Sequence, residues 1–280
     1  MRLSIGSAAK LGFIDIKQLT PPTTCYVMLG KKCQNNCSFC SQNNEEHKLS
    51  RINWPEFNEK EIINQINSSD FQRVCLQCTS VEINVLNLII SKINKPISIS
   101  YNFNHINQIK LIHKKVDNIC IPFDVANKDK FYEIKHENYD NKLKIITQAA
   151  KLFPNKISTH LIVGLGETES EIVKLIKYFY SIGVDVGLFA FTPIKGTKLE
   201  NVEQPKIGYY RRIQAKHYKI KHNTNKLSPV AFMTSGCEEC NRPYYNESPK
   251  GPIYNYPRKL TDEEYENCKN ETIQIKDLQA

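Results

Sequence analysis

Cys33, Cys37 and Cys40 stand as Cys-x3-Cys-x2-Cys in the run Gly30-Lys-Lys-Cys-Gln-Asn-Asn-Cys-Ser-Phe-Cys-Ser41. The thiolate is the form of cysteine that binds metal. Three thiolates on one loop can hold three irons of a [4Fe–4S] cube and leave the fourth open to another ligand. An electron-transfer cluster takes four protein thiolates. A set of three therefore points to a cluster that binds something. A structural zinc site wants four ligands, commonly as paired Cys-x2-Cys motifs. A disulfide framework suits small secreted domains. This chain has 280 residues, and its start, Met1-Arg-Leu-Ser-Ile-Gly6, lacks the apolar segment of a secretory leader.

Two Cys-x2-Cys pairs follow: Cys75-Leu-Gln-Cys78 and Cys237-Glu-Glu-Cys240. Four thiolates in two pairs suffice for a second [4Fe–4S] cluster. They suffice equally for a tetrahedral zinc, or the pairs never meet and are separate buried thiols. Iron–sulfur is favoured because Cys75 and Cys78 close a strand, where they would face an active site; a structural zinc has no need of that place. Cys25, Cys120 and Cys268 are expected to be buried as small apolar groups.

The elements that must position these residues alternate. Short apolar runs read as strands over Thr24–Leu29, Arg73–Gln77, Ile97–Tyr101, Asn118–Phe123, Lys156–Val163 and Asp185–Phe191. Helical patterns cover Glu59–Asn67, Val81–Ile93, Ile106–Lys115, Asn141–Leu152, Glu169–Ile182 and about Tyr209–Ile220. The fifth begins with a capping box, Thr168-Glu-Ser-Glu171, and Gly183 follows its end. Such alternation implies an α/β fold with parallel strands and right-handed crossovers. About six βα units are present, fewer than a closed eightfold barrel needs. Sites in such folds gather at the carboxyl ends of the strands, and the cysteine loop follows the first strand.

The composition changes after residue 222. The expected division is a barrel over 1–222 and an extension over 223–280. Residues 223–260 are rich in Asn, Pro, Ser, Gly and Tyr. Pro243, Pro249, Pro252 and Pro257 disfavour a regular element there. Tyr244, Tyr245, Tyr254 and Tyr256, with the Cys237–Cys240 pair, argue against a disordered tail.

The chain is 40% hydrophobic and 24% charged, as ordinary soluble proteins are. No apolar run approaches membrane-span length, and ten cysteines without a leader suggest the cytoplasm. The net charge of +9 suits an acidic partner. Basic residues are spread rather than clustered with aromatics, so nucleic acid is not the expected one.

The cysteine loop, with Phe39 before its last cysteine, resembles that of the radical S-adenosylmethionine (SAM) enzymes. The resemblance implies a partial (β/α)6 barrel. It also implies a [4Fe–4S] cluster on Cys33, Cys37 and Cys40 whose open iron binds SAM, and reductive cleavage of SAM to a 5′-deoxyadenosyl radical. An electron donor such as ferredoxin or flavodoxin is implied with it. Ile162, Gly164 and Glu167 match an Ile-x-Gly-x-x-Glu pattern that these enzymes carry near the adenine. Asp124 resembles a ribose-binding aspartate of the biotin synthase branch, with a helix N-cap as its other reading. Thr79 and Ser80 lie where the family binds the methionyl part of SAM. Lys142 falls within one residue of a carboxylate-binding arginine.

The stretches Ser158-Thr-His-Leu-Ile-Val-Gly-Leu-Gly-Glu-Thr168 and Pro193-Ile-Lys-Gly-Thr-Lys-Leu199 look much like biotin synthase. Cys75 matches one of its sulfur-donor ligands, but Ser158 replaces another and Ser98–Asn102 offers no third. The extension Ser235-Gly-Cys-Glu-Glu-Cys-Asn-Arg-Pro-Tyr-Tyr-Asn-Glu247 is similar to that of the archaeal two-component lipoyl synthases. That likeness implies a sulfur-inserting enzyme with a second cluster as sulfur source. Its partners would be an octanoylated lipoyl carrier domain and a homologous second chain. Arg242 and Arg258 are candidates to orient substrate or cluster, or else surface ion pairs. The alternatives are biotin-like ring closure, RNA sulfuration, or a non-catalytic metal-stabilised module.

Overall fold

In the computed structural model, which describes residues 1–43, 48–247 and 251–273, six short apolar runs become the parallel strands of one sheet. In chain order the elements are β1 (Arg2–Leu3), α1 (Ile5–Lys10), β2 (Thr24–Leu29), β3 (Lys48–Leu49), β4 (Ile52–Asn53), α2 (Glu59–Ser68), β5 (Arg73–Cys78), α3 (Ile83–Ser91), β6 (Ile97–Ser100) and α4 (Ile106–Ile112). They continue with β7 (Asn118–Cys120), α5 (Lys128–Lys135), α6 (Tyr139–Leu152), β8 (Ile157–Val163), α7 (Glu169–Ser181), β9 (Asp185–Ala190), α8 (Ile207–Lys221) and α9 (Asp262–Ile273). Strands β2, β5, β6, β7, β8 and β9 pair in that order, all parallel. β1 adds antiparallel outside β2. Among the described residues β2 and β9 do not pair, so the barrel stays open between its first and last parallel strands.

Strand parity decides what each residue sees. Alternate side chains point to opposite faces of a strand. Val27, Leu29, Val74, Leu76, Ile97 and Ile99 turn outward into the buried core between sheet and helices. Tyr26, Met28, Cys75, Gln77, Ser98 and Ser100 alternate with them and line the interior. The outer layer is held by local chemistry. Asn58 Oδ1 accepts from the Lys60 and Glu61 amides to start α2, which buries Ile62, Ile63 and Ile66. Thr168 and Glu171 form the expected reciprocal cap of α7, and Gly183 follows at φ +75°.

Three helices, α1, α5 and α9, lie outside the expected set. α5 is capped by Asn127 and buries Phe131 and Ile134 among charged neighbours, too few apolar positions to show a period. In α9, where Thr261 Oγ1 accepts from the Glu264 amide, only Cys268 is buried. Asn127, not Asp124, caps α5, so the N-cap reading of Asp124 does not hold.

Residues 223–247 and 251–260 are irregular apart from a short turn of tight helix, Pro229–Phe232. Pro243, Pro252 and Pro257 lie outside helices and strands, and Pro249 lies outside the described residues. The segment is nevertheless tied down. Fully buried Arg211 of α8 donates to the carbonyls of Ile253 and Tyr254 and pairs with Glu271 of α9 at 2.8 Å. Residues 235–246 cross the opening of the barrel. Thr24 of β2 donates to the Glu239 carbonyl at 3.0 Å. On the far side, the Leu188 amide of β9 donates to Ser235 Oγ at 2.8 Å, and Asn246 Nδ2 to the Ala190 carbonyl at 2.8 Å. The extension therefore covers the gap that the sheet leaves.

Candidate metal and cofactor site

Gly30 ends β2 at φ +88°, where a Cβ would lie 2.7 Å from the Ser80 amide nitrogen and Thr79 Oγ1. Only glycine allows that approach without strain. Thr79 Oγ1 donates to the Leu29 and Lys31 carbonyls at 3.0 and 3.1 Å, and Ser80 Oγ to the Lys32 carbonyl at 2.6 Å. The end of β5 thus fastens the start of the cysteine loop. Within the loop, the Cys33 amide donates to the Gln42 carbonyl at 2.7 Å and the Cys40 amide to the Cys37 carbonyl at 3.1 Å.

Cys33, Cys37, Phe39 and Cys40 face one cavity of about 250 Å³ that runs into the barrel. Burial pushes the Cys40 thiol up to about 12. Burial raises Cys37 also, against the pull of the nearby Lys135 ammonium. The chemistry of the donor set fits an iron–sulfur cluster: three soft sulfurs at a cavity mouth, which would be deprotonated on binding metal. Among the described residues, no group of three or more His, Cys, Asp or Glu side chains is arranged to hold a metal ion.

The other candidate residues divide into those at the cavity and those behind it. Asp124 lines it at the end of β7, in a left-handed conformation of φ +66°. Its Oδ2 accepts from buried Lys135 Nζ at 2.7 Å. Burial alone would lower the Lys135 pKa, but Asp124, Cys37 and Glu137 raise it, so the ammonium keeps its charge. Ile162 faces the cavity from β8, and Thr79 borders it. Gly164 and Glu167 do not line it. Glu167 folds back on its own turn, accepting from the Gly164 and Leu165 amides at 2.7 and 2.9 Å. Ser80 borders a neighbouring groove instead. Lys142 sits behind Asn102, bonded to its Oδ1 and paired with Glu137 at 2.7 Å. Burial lowers its pKa, with Glu137 opposing. Its ammonium is not presented to the cavity.

A second group of thiols lies deeper. Cys75 faces inward from the third position of β5, and Cys237 and Cys240 enter from the extension, all lining the same cavity. Cys240 donates to Cys237 and holds it below the ordinary thiol range, with Ser98 and Arg242 helping. Tyr26 Oη lies 3.5 Å from Cys240 Sγ and accepts from the Arg242 amide at 2.7 Å. Arg242 is buried, with its guanidinium 3.7 Å from the Phe189 ring centroid. Arg258 is elsewhere: it pairs with Glu264 at 2.7 Å on the exposed face of the extension, and is an ion pair rather than a site residue.

Cys78 borders the same cavity as Cys75, but from the last position of β5. Three residues on along a strand is the opposite parity, and Cys78 packs against the outer core, its thiol 3.8 Å from the Leu76 carbonyl. Cys25 and Cys268 are buried among apolar neighbours as expected. Cys120 is buried too, but on the cavity wall. His160 also lines the cavity, and burial followed by the Arg242 and Lys135 charges pushes its pKa down to about 3, so it is neutral in ordinary buffers. A lone histidine in an apolar run gave no sign of this.

No family model and no curated protein matches the chain. Solved structures do. HydG, a maturase of the [FeFe]-hydrogenase, superposes with TM-score 0.56 at 10% identity over 70% of this chain and 48% of its own. Streptococcus suis SuiB bound to S-adenosylmethionine gives 0.56 at 13% identity over 73% of this chain and 49% of SuiB. SuiB bound to its precursor peptide SuiA gives 0.56 at 15% identity, over 83% and 53%. The fold is the open, mostly parallel α/β barrel of these structures, as the resemblance implied. This chain spans about half the length of the structures it matches. Likeness at this identity shows the fold alone. Among the described residues, no helix is long and apolar enough to cross a membrane.

Proposed function

We propose that this chain is a radical SAM sulfur-inserting enzyme, a component of a lipoyl synthase that acts on a protein-bound octanoyl chain. The observation that carries the reading is the pairing of two thiol groups on one cavity: Cys33, Cys37 and Cys40 at its mouth, and Cys75, Cys237 and Cys240 in its depth. Loaded, the two sites would supply a 5′-deoxyadenosyl radical at one end and sulfur at the other. The chain's own residues do the positioning. Asp124, fixed by Lys135, would accept hydrogen bonds from the ribose diol. Ile162 would lie against the adenine. Thr79, Ser80 and Gly30 hold the cysteine loop in register with β5. Met28, Leu49, Phe189 and Phe191 give the cavity an apolar wall suited to an alkyl chain and poor in water.

A substrate carried on protein accords with SuiB, which was solved with a precursor peptide. The net charge of +9 suits docking of an acidic carrier domain. A homologous second chain and a ferredoxin or flavodoxin complete the proposed set of partners. In this reading the extension from residue 223 is part of the catalytic unit and not a separable domain.

Anaerobic incubation with SAM, reductant, an octanoyl-lysyl lipoyl domain and the homologous chain tests the proposal. 5′-Deoxyadenosine and a thiolated product are expected by mass spectrometry. SAM cleavage without sulfur transfer would point to another substrate; absence of both would reject the radical reading.

A further inference from the structure

The deep thiol group contains one more member than the sequence pairs suggest, and lacks one that they include. Strand geometry separates the two. On β5, Cys75 and Gln77 share the inner face while Val74, Leu76 and Cys78 take the outer parity. Cys78, the last residue of β5, borders the cavity too, but it also packs against the outer core. The inner face continues across the sheet. Cys75 pairs in register with Ser98 of β6, Ser98 with Asn118 of β7, and Ser100 with Cys120. Cys120 is therefore an inner-face residue two strands from Cys75, and it lines the same cavity. Its nearest charged influences include Cys237 and Cys75, and it hydrogen-bonds Ser158. Cys237 hydrogen-bonds Ser98, which lies between the two strands. Arg242 places a buried positive charge beside Cys240, Cys237 and Cys75.

We propose that Cys75, Cys120, Cys237 and Cys240 are the four ligands of the second cluster, and that Cys78 is not one of them. The proposal rests on the reading above that the chain holds a second iron–sulfur cluster. One thiol from each of two strands and two from the extension surround a common space inside the barrel. Four thiolates, one to each iron of a cube, are the set that such a cluster takes. On assembly each thiol loses its proton as its sulfur–iron bond forms. Arg242 offsets part of the negative charge that results.

The test isolates this site by removing the other. A C33A/C37A/C40A chain, reconstituted anaerobically with iron and sulfide, is expected to hold about four irons and four sulfides. Adding C78A should leave that content unchanged, as should adding C25A, a buried thiol on the outer face. Adding C120A or C120S should reduce it to about three irons or fewer, with the electron paramagnetic resonance signal of an oxidised three-iron cluster where three remain. Differential alkylation of the C33A/C37A/C40A chain, loaded against iron-stripped, gives a readout that needs no change at Cys120: Cys75, Cys120, Cys237 and Cys240 should gain reactivity on stripping and Cys78 should not. Four irons retained by the Cys120 variants, iron lost with C78A, or zinc bound in place of iron would each overturn the proposal. Because the readout is metal content, a four-iron site with no sulfur product would reject the sulfur-insertion reading and leave this one standing.

Discussion

Single residues show how much of the site depends on backbone geometry. Gly30 has φ +88° and no room for a Cβ beside the Ser80 amide. Gly30→Ala should cost about 1–3 kcal/mol and lower the iron bound at Cys33, Cys37 and Cys40, because the loop start must move off β5. Urea melts and iron analysis check both effects. His217 gives a pH dependence. Burial, then Lys221, pushes its pKa down to about 4 in the folded chain, from an ordinary 6.5. The unfolded chain therefore takes up the proton first as pH falls. The neutral imidazole's stabilisation is complete above about 6.5 and erodes toward 4. Between pH 7 and 5 the loss should be about 2 kcal/mol. His217→Gln should flatten the pH dependence of the urea midpoint by that amount.

At the scale of elements, the strands were legible and the roles of their residues only partly. All six parallel strands appear in the sequence as apolar runs, because strands buried on both faces have little polar surface to show. The same property hid the parity: Arg73-Val-Cys-Leu-Gln-Cys78 reads as a cysteine pair, yet its two cysteines stand at opposite parity along the strand, and Cys78 also packs against the outer core. Gly164 and Glu167 read as a ligand motif, but in the structure they brace the turn after β8, and only Ile162 of that trio reaches the cavity. α8 carries the other element-scale consequence. Arg211 spends its guanidinium on the Ile253 and Tyr254 carbonyls and on Glu271. Arg211→Ala should destabilise by roughly 2–5 kcal/mol, and amide exchange should rise first over residues 251–273.

For the whole molecule, the open barrel and its extension form one structure. The interior face presents Tyr26, Met28 and Cys75, and Tyr245 of the extension packs on all three together with Trp54. A chain ended at Asn223 would expose that cluster and the edge of β9. It should bind a hydrophobic dye strongly and lose solubility, whereas the full chain should do neither. A truncated chain that stayed soluble with native near-ultraviolet dichroism would show that the extension is dispensable to the fold.

By itself the sequence determined the class of fold, the cysteine loop and its place after the first parallel strand. Each is a local property: the apolar period of a strand, the spacing of thiols on a loop, the cap of a helix. What only the tertiary structure decided was which distant side chains share the cavity. It drew Cys120 in, packed Cys78 against the outer core at the cavity's edge, set Lys142 behind Asn102 and brought Cys237 and Cys240 across the gap between β2 and β9. Such partners are chosen by strand register and by the route of a chain without periodicity, and neither is written in the spacing of the residues that meet.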